Sequence, residues 1–457
     1  MLQTFPVSYN NVEDHLYPNF YKFKLKLKEF FERPDILSFR LGDKGVVQTL
    51  TDGEHAGQVF VEKGALFIKN SSVKRYYIDE NDGFYISHEK NNLLKRSQLE
   101  NRDVLFTTIG KYLGVASIVN ENLVGANINQ NVVRLRIDEK FVSHEYLAFY
   151  LNSKFARFQI DNLFTGNTHP ILTYPKLKSI AVFLKSREIE RLITANAVEI
   201  QKLELDSHRL LKKAQHLFLT KLDIDFSAIK DRKTFSLSFA DFEKAEVMSP
   251  ENYRPLFIET IEKIKQKVPW DLLGNLATFL NGDEVGSENY NLYLDSRDTH
   301  LPFIRTTDLC NYSLDRYPDF YIDNAIAEDI AQIKVPNEIL FTKDGKIGQL
   351  AFRTDSDNAI IGSGILRIVA KNVDPYYLFL ALSINEIGQY QAQQRTVIAS
   401  TMPHLREDRV ADFVIPLLDD TTEMISLVKT AFNLKEKGKI LTSESRRIID
   451  ESLPLDL

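Results

Sequence analysis

The side chains that could carry chemistry in this 457-residue chain stand apart from one another. No Asn-Pro-Pro-Tyr or Asp-Pro-Pro-Phe tetrad is present, so the usual catalytic motif of an adenine methyltransferase is excluded. Gly110-Lys111 is followed by Tyr112, and no Gly-x-x-x-x-Gly-Lys-Ser/Thr run that would cradle a phosphate occurs. Gly362-Ser-Gly364 is a lone Gly-x-Gly, expected to be a strand turn. Asp138-Glu-Lys140 and Asp231-Arg-Lys233 are nuclease-like triplets with no acidic partner ahead of them. The nine histidines form no His-x-x-x-His pair, and the single Cys310 excludes a disulfide framework and a Cys-rich zinc site. The expectation is a chain with no catalytic residue, no metal and no cofactor-binding residue of its own.

The elements that must position any other chemistry are easier to see. Residues 186–222 read as one helix without Gly or Pro. Ile189, Ile193, Asn196, Ile200, Leu203, Ser207, Leu210, Ala214 and Leu217 recur with a period of 3.5, the seam of a coiled coil. Such a helix would span roughly 55 Å, too long to be buried in one compact domain. Ahead of it, Ala65–Ile68, Val104–Thr107, Val115–Val119, Val132–Ile137 and Ile180–Leu184 read as strands between Asn-, Asp- and Gly-rich turns. One helix is expected over Ser143–Phe158, with Ser143 as its N-cap. Asn19–Arg33 alternates like a strand at Lys22–Lys28, but a helix stopping before Pro34 fits equally and is preferred. Residues 223–250 form a connector, Leu256–Val268 a short helix, and Leu272–Leu418 a second strand-rich region. Asp419–Leu453 is mostly helical, with a rougher seam at Ile425, Val428, Phe432, Leu441, Ile448, Ile449 and Leu453, weakened by Gly438.

The two halves repeat each other. Asp103-Val-Leu-Phe-Thr-Thr-Ile-Gly-Lys matches Glu338-Ile-Leu-Phe-Thr-Lys-Asp-Gly-Lys, 235 residues on. Ala65-Leu-Phe-Ile-Lys matches Leu301-Pro-Phe-Ile-Arg, and Phe84-Tyr-Ile matches Phe320-Tyr-Ile, both at 236. Val133-Arg-Leu-Arg-Ile is paired with Gly364-Ile-Leu-Arg-Ile, and Glu145-Tyr-Leu with Tyr376-Tyr-Leu, both at 231. Pro175-Lys-Leu is paired with Pro403-His-Leu. The expected fold is α+β: two β-rich globules, 1–185 and 223–418, each followed by a long helix, 186–222 and 419–457. The simplest way to cover both seams is to pack the helices antiparallel, with the globules at opposite ends.

This order resembles the specificity subunit of a Type I restriction-modification enzyme, over essentially the whole chain. The duplicated Leu-Phe-Thr strands followed by Gly-Lys look like that family's signature strand and turn. Glu251-Asn-Tyr-Arg-Pro, with Asp14-His-Leu-Tyr-Pro as its weaker counterpart, is similar to the lead-in to its recognition domains. The resemblance implies a non-catalytic, cytoplasmic subunit in which each globule reads one half of a bipartite double-stranded DNA site. It implies helices that fix the gap and dock methyltransferase subunits, about two per chain, which would carry S-adenosylmethionine. Restriction or translocase subunits are further partners, and no membrane is expected. Two alternatives stay open: a specificity subunit of another methylation-linked phage-defence system lacking a restriction motor, or a duplicated protein-binding scaffold with no DNA role.

Base edges are read by Arg, Lys, Asn, Gln, Ser and Thr, so loops rich in these types are the candidate contacts. Thr165, Asn167, Thr168 and His169 lie before the last strand of the first globule. Gln394, Arg395, Thr396, Ser400, Thr401 and His404 hold the equivalent place in the second. Lys69 and Asn70 match Arg305 and Thr306. Lys111 with Tyr112, and Lys343 with Lys346, sit at the matched glycine turns, where a backbone can approach a phosphate. Asn127, Asn129, Gln130 and Asn131 are the densest amide cluster.

Charge is placed unevenly. The chain has a formal net charge of −6, yet residues 60–185 carry 17 basic against 12 acidic side chains and residues 301–418 carry 11 against 15. An acidic second globule implies that much of the DNA affinity comes from partner subunits. Asn196 and Ser207 are polar seam positions, expected to set register or face a methyltransferase subunit. Replacing both with Leu is expected to tighten the helix pair.

Overall fold

The computed structural model describes residues 18–55, 57, 59–166, 169–232, 234–239, 249–289, 291–292, 300–399 and 402–454. The fold is α+β. The chain divides into two compact units, residues 1–202 with 438–457, and residues 203–437.

In the first unit the opening segment is a helix, Pro18–Phe31. Its strand-like alternation loses to a helical apolar face: Phe20, Phe23, Leu27 and Phe30 are buried. Phe23 meets Phe158 at 5.5 Å between ring centroids, and Phe30 meets Phe155 at 4.5 Å. Leu37–Arg40 pairs antiparallel with Ala181–Leu184, which ties the start of the unit to its last strand. A four-stranded antiparallel sheet follows the order Val47–Asp52, Val132–Ile137, Val104–Thr107, Ala116–Ile118. A second sheet has the order Phe84–Ile86, Ala65–Ile68, Asn127–Ile128, the last pair being parallel. Val104, Leu105 and Phe106 are fully buried, as an apolar run between covering layers should be.

The second unit repeats this plan from different residues. Trp270–Leu272 pairs with Val414–Pro416. The four-stranded sheet is ordered Ala277–Asn281, Ile365–Ala370, Ile339–Thr342, Leu350–Phe352. The mixed sheet is ordered Asn291–Leu292, Phe320–Asp323, His300–Ile304, Ile360–Ile361, again with one parallel pair. The same buried polar clamps recur. Tyr146 Oη donates to the Phe183 carbonyl at 2.7 Å, and Tyr377 Oη to the Pro416 carbonyl at 2.7 Å. The buried Gln159 exchanges bonds with the Ala181 backbone, as Gln391 does with Val414.

Four expectations need correction. The helix over Ser143–Phe158 is two helices, His144–Leu151 and Lys154–Leu163. Ser143 does cap the first, accepting from Tyr146 N, but Asn152 and Ser153 interrupt it. Asn152 bonds both polar groups of the Ala116 backbone, and Ser153 Oγ accepts from Ala156 N. Short polar side chains here compete with the helical ladder.

The pairing of Val133–Ile137 with Gly364–Ile368 is two residues out. Phe106 faces Val133 and Phe341 faces Leu366, so Val133 corresponds to Leu366 and Arg134 to Arg367. A slip of two keeps every side chain on its own face, so the alternation could not reveal it. The pairing of Pro175 with Pro403 fails too. Gly110 N donates to the Pro170 carbonyl at 2.9 Å, and Gly345 N to that of Pro403 at 3.1 Å. Pro170-Ile-Leu172 is therefore the counterpart of Pro403-His-Leu405, and Pro175 lies in the separate short helix Tyr174–Ser179.

The helix expected over 186–222 is Arg187–Leu222, and the C-terminal one, Thr422–Ser452, runs unbroken through Gly438. The seam differs from the expected one. Glu190, Ile193, Ala197, Ile200, Leu203, Ser207, Leu211, Ala214, Phe218 and Leu222 are the buried positions. Five of the nine expected positions, Ile193, Ile200, Leu203, Ser207 and Ala214, are among them. Ile189, Asn196, Leu210 and Leu217 are only half-buried. In the second unit, Glu204 meets Lys435 at 2.8 Å, Lys213 meets Glu423 at 3.2 Å and Lys221 meets Asp420 at 3.1 Å, an antiparallel pairing. In the first unit Asn196 Nδ2 donates to Ser445 Oγ at 3.0 Å.

Candidate nucleic-acid interface

Each unit carries the same turn after its Leu-Phe-Thr strand. Thr107 Oγ1 accepts from Val115 N at 2.9 Å and donates to the Tyr112 carbonyl. Thr342 Oγ1 accepts from Gln349 N at 2.8 Å and donates to the Lys346 carbonyl. One hydroxyl thus closes each turn, which absorbs the one-residue deletion at its tip. The glycines are required by backbone geometry. Gly110 and Gly114 have φ of 85° and 82°, Gly345 and Gly348 of 68° and 86°. A Cβ at Gly114 would meet Ile160 at 3.0 Å.

Three further segments come to this turn. Thr108 N donates to the Asn131 carbonyl, and Leu172 N to the Thr108 carbonyl, both at 2.9 Å. Asn70 Nδ2 reaches the Ile109 carbonyl at 3.5 Å. In the second unit Lys343 N donates to the Gly364 carbonyl at 2.9 Å, and Leu405 N to the Lys343 carbonyl at 2.8 Å. An added Cβ at Gly345 would lie 3.9 Å from Thr306 Oγ1. The turn, the amide segment, the exit of the Phe-Ile strand and the loop before the last strand therefore form one face in each unit. The scaffold of backbone bonds is the same, and the side chains on it differ.

Of the expected contacts, some stand on this face and others are spent inside the protein. Lys111 and Lys346 are exposed at the turn tips. Tyr112 lies under Lys111, with Nζ 5.4 Å from its ring centroid. Asn129, Gln130, Asn131, Thr306 and Lys343 are half-buried on the converging segments, and Thr165 and His169 are exposed. Asn129 Oδ1 accepts from Asn131 N at 3.2 Å, which shapes the amide loop. Asn167, Thr168, Ser400 and Thr401 lie outside the described residues, as does Asp14–Tyr17 of the first lead-in.

Asn127 is a correction. Its side chain is fully buried, accepting from Ser97 Oγ at 2.6 Å and donating to Asn91 Oδ1 at 2.9 Å. Lys69 and Arg305 are equivalent but inward-held. Lys69 sits 4.3 Å from the Phe84 ring centroid and 3.3 Å from Asp82, and burial lowers its ammonium from the ordinary lysine value. Arg305 sits 3.9 Å from the Phe320 ring centroid, near Asp308 and Asp319. Gln394, Arg395 and Thr396 close the helix Tyr390–Arg395 rather than entering the loop. Gln394 donates to the Asn252 carbonyl at 3.2 Å, and Thr396 to that of Ala392 at 2.7 Å. Arg395 stacks on Phe413, with burial pushing its guanidinium down to about 10.

Two features escaped the sequence. One is a buried acid held by two guanidiniums. Asp103 pairs with Arg134 at 2.8 Å and Arg136 at 2.7 Å. Glu338 pairs with Arg353 at 2.6 Å and Arg367 at 2.9 Å. Arg134 and Arg367 also donate to the equivalent carbonyls of Gln98 and Ile333. The acid heading each Leu-Phe-Thr strand was the available signal. The other is Asp344, whose carboxylate holds His404 Nδ1 on the second face. The change from Ile109 to Asp344 within an otherwise matched motif pointed to it. Among the described residues, no helix is long and apolar enough to cross a membrane, and no group of three or more His, Cys, Asp or Glu could hold a metal ion.

No protein-family model and no curated protein matches the chain. Solved structures do. The Type I restriction-modification S subunit from M. genitalium shares 13% identity over 92% of this chain and 96% of that one, with a TM-score of 0.34. This chain is similar to Type I S subunits. The HsdS subunit from Thermoanaerobacter tengcongensis shares 15% identity over 93% and 98% of the two chains, with a TM-score of 0.30. A chain from a structure of the type I R-M system shares 15% over 93% and 99%, also at 0.30.

Proposed function

We propose that this chain is the non-catalytic DNA-recognition subunit of a Type I restriction-modification enzyme. Each unit reads one half of a bipartite double-stranded DNA site through its four-segment face. The exposed Lys111 and Lys346 meet phosphates, and the loop side chains meet base edges. The two long helices hold the faces at a set separation and dock methyltransferase subunits, which carry S-adenosylmethionine. A ruler is useful because two half-sites present the same side of the duplex only at particular spacings.

The observation that carries this reading is a duplicated face with the same backbone bonds and different side chains. Two copies of one scaffold with divergent tips suit the recognition of two different short sequences. The test is co-purification of the chain with a methyltransferase containing Asn-Pro-Pro-Tyr or Asn-Pro-Pro-Phe, followed by DNA binding. Stable association and selective binding of one bipartite duplex is the expected result. No association, or binding indifferent to sequence, would overturn it.

A further inference from the structure

Each face is closed by an isolated antiparallel bridge at the same place. In the first unit it joins Ile109 to Ile171, in the second Asp344 to His404. The flanking bonds fix the equivalence: Gly110 to Pro170 matches Gly345 to Pro403, and Leu172 to Thr108 matches Leu405 to Lys343. The scaffold is constant and the chemistry is not. Ile171 is 39% exposed and Ile109 half-buried, so the first bridge offers branched apolar side chains. The second offers a carboxylate held by an imidazole.

We propose that this bridge is a base-reading position, apolar in the first unit and hydrogen-bond accepting in the second. The inference rests on the reading that these faces bind DNA. In the major groove, an apolar side chain suits the thymine 5-methyl group. A carboxylate suits an exocyclic amino group, cytosine N4 above all. Asp344 is built for that task. His404 Nδ1 engages Oδ1 and so fixes the carboxylate plane. The opposite oxygen, Oδ2, lies 3.5 Å from where Gly364 would carry a Cβ. Such a Cβ would also meet Thr306 at 2.9 Å, so glycine keeps that approach open.

Stability does not call for the pair. The two side chains are 44% and 30% exposed, and a polar pair this open to water contributes little to folding. An acid on a surface that meets phosphates is otherwise a cost. Lys343 and Lys346 on either side offset it, while an amino-bearing base gives it a use.

The test maps methylated sites in cells making the full chain with its methyltransferase partner. The variants are D344I/H404I, which transplants the first unit's bridge, and D344L, which keeps the branching at Cγ but carries no acceptor. The expected result is a change confined to one position of one half-site. Preference for its amino-bearing base should fall about tenfold or more, with the other half-site and the gap unchanged. That intact half-site also shows that the complex has folded. If D344I/H404I does not assemble, D344L alone decides. An unchanged motif in an assembled variant overturns the proposal while leaving the DNA-recognition reading in place. If the unaltered complex yields no bipartite motif, that reading fails and the bridge assignment fails with it.

Discussion

At the scale of single residues, burial separates side chains that hold the fold from those able to meet DNA. Glu338 and both of its arginine partners are buried. Removing the acid leaves two guanidiniums without a counter-charge. Glu338→Ala should therefore cost about 3–5 kcal/mol, seen as a lower denaturant midpoint for the second unit. Lys346→Ala, at an exposed tip, should stay within about 0.5 kcal/mol. Asn127 makes the same point inside one amide cluster. Asn127→Ala strips partners from Ser97 and Asn91 and should cost about 1–3 kcal/mol, with the methylated motif unchanged. Asn129→Ala with Gln130→Ala should do the reverse, leaving thermal stability nearly intact while altering one half-site. Four neighbouring residues of one chemical type look alike in a sequence. Only the packing of Asn91, Ser97 and the parallel strand pair shows that one of them faces inward.

At the scale of elements, much was legible because repetition amplifies weak signals. The Leu-Phe-Thr strands, their Gly-Lys turns, the Phe-Tyr-Ile strands and the paired tyrosines all hold equivalent positions. What failed did so for identifiable reasons. A strand pattern is blind to a slip of two residues, and Pro-x-Leu occurs both at Pro170 and at Pro175 in the first half. The break at Asn152 and Ser153 depends on the Ala116 backbone, which is distant in sequence. The long helices were clear, but their buried faces only in part. Ile193, Ile200, Leu203, Ser207 and Ala214 are buried as expected, but between and beyond them Ala197, Leu211 and Phe218, one residue on, replace Asn196, Leu210 and Leu217. Ser207 is fully buried, and its hydroxyl has no hydrogen-bond partner among the described residues. Ser207→Ala should therefore be stabilising by up to about 1 kcal/mol, read as a higher melting temperature. Leu at 207 would overpack the site and cost about 1–3 kcal/mol, the opposite of tightening the pair.

At the scale of the whole molecule, the proposed function divides the work of DNA binding between this chain and a methyltransferase. The net charge of −6, with residues 301–418 acidic on balance, leaves no overall excess of positive charge to release counterions from DNA. The isolated chain should bind DNA weakly, with a shallow dependence of log affinity on log salt. Addition of the methyltransferase should steepen it. Tight binding and a steep slope for the chain alone would contradict that division of labour. The central claim is that two copies of one recognition scaffold read two short sequences across a fixed gap. Long-read methylation mapping, in cells making this chain with its methyltransferase partner, tests it most directly. The account predicts one motif with two specified parts and an unspecified spacer of constant length. A continuous motif, or methylation indifferent to the spacer, would contradict it.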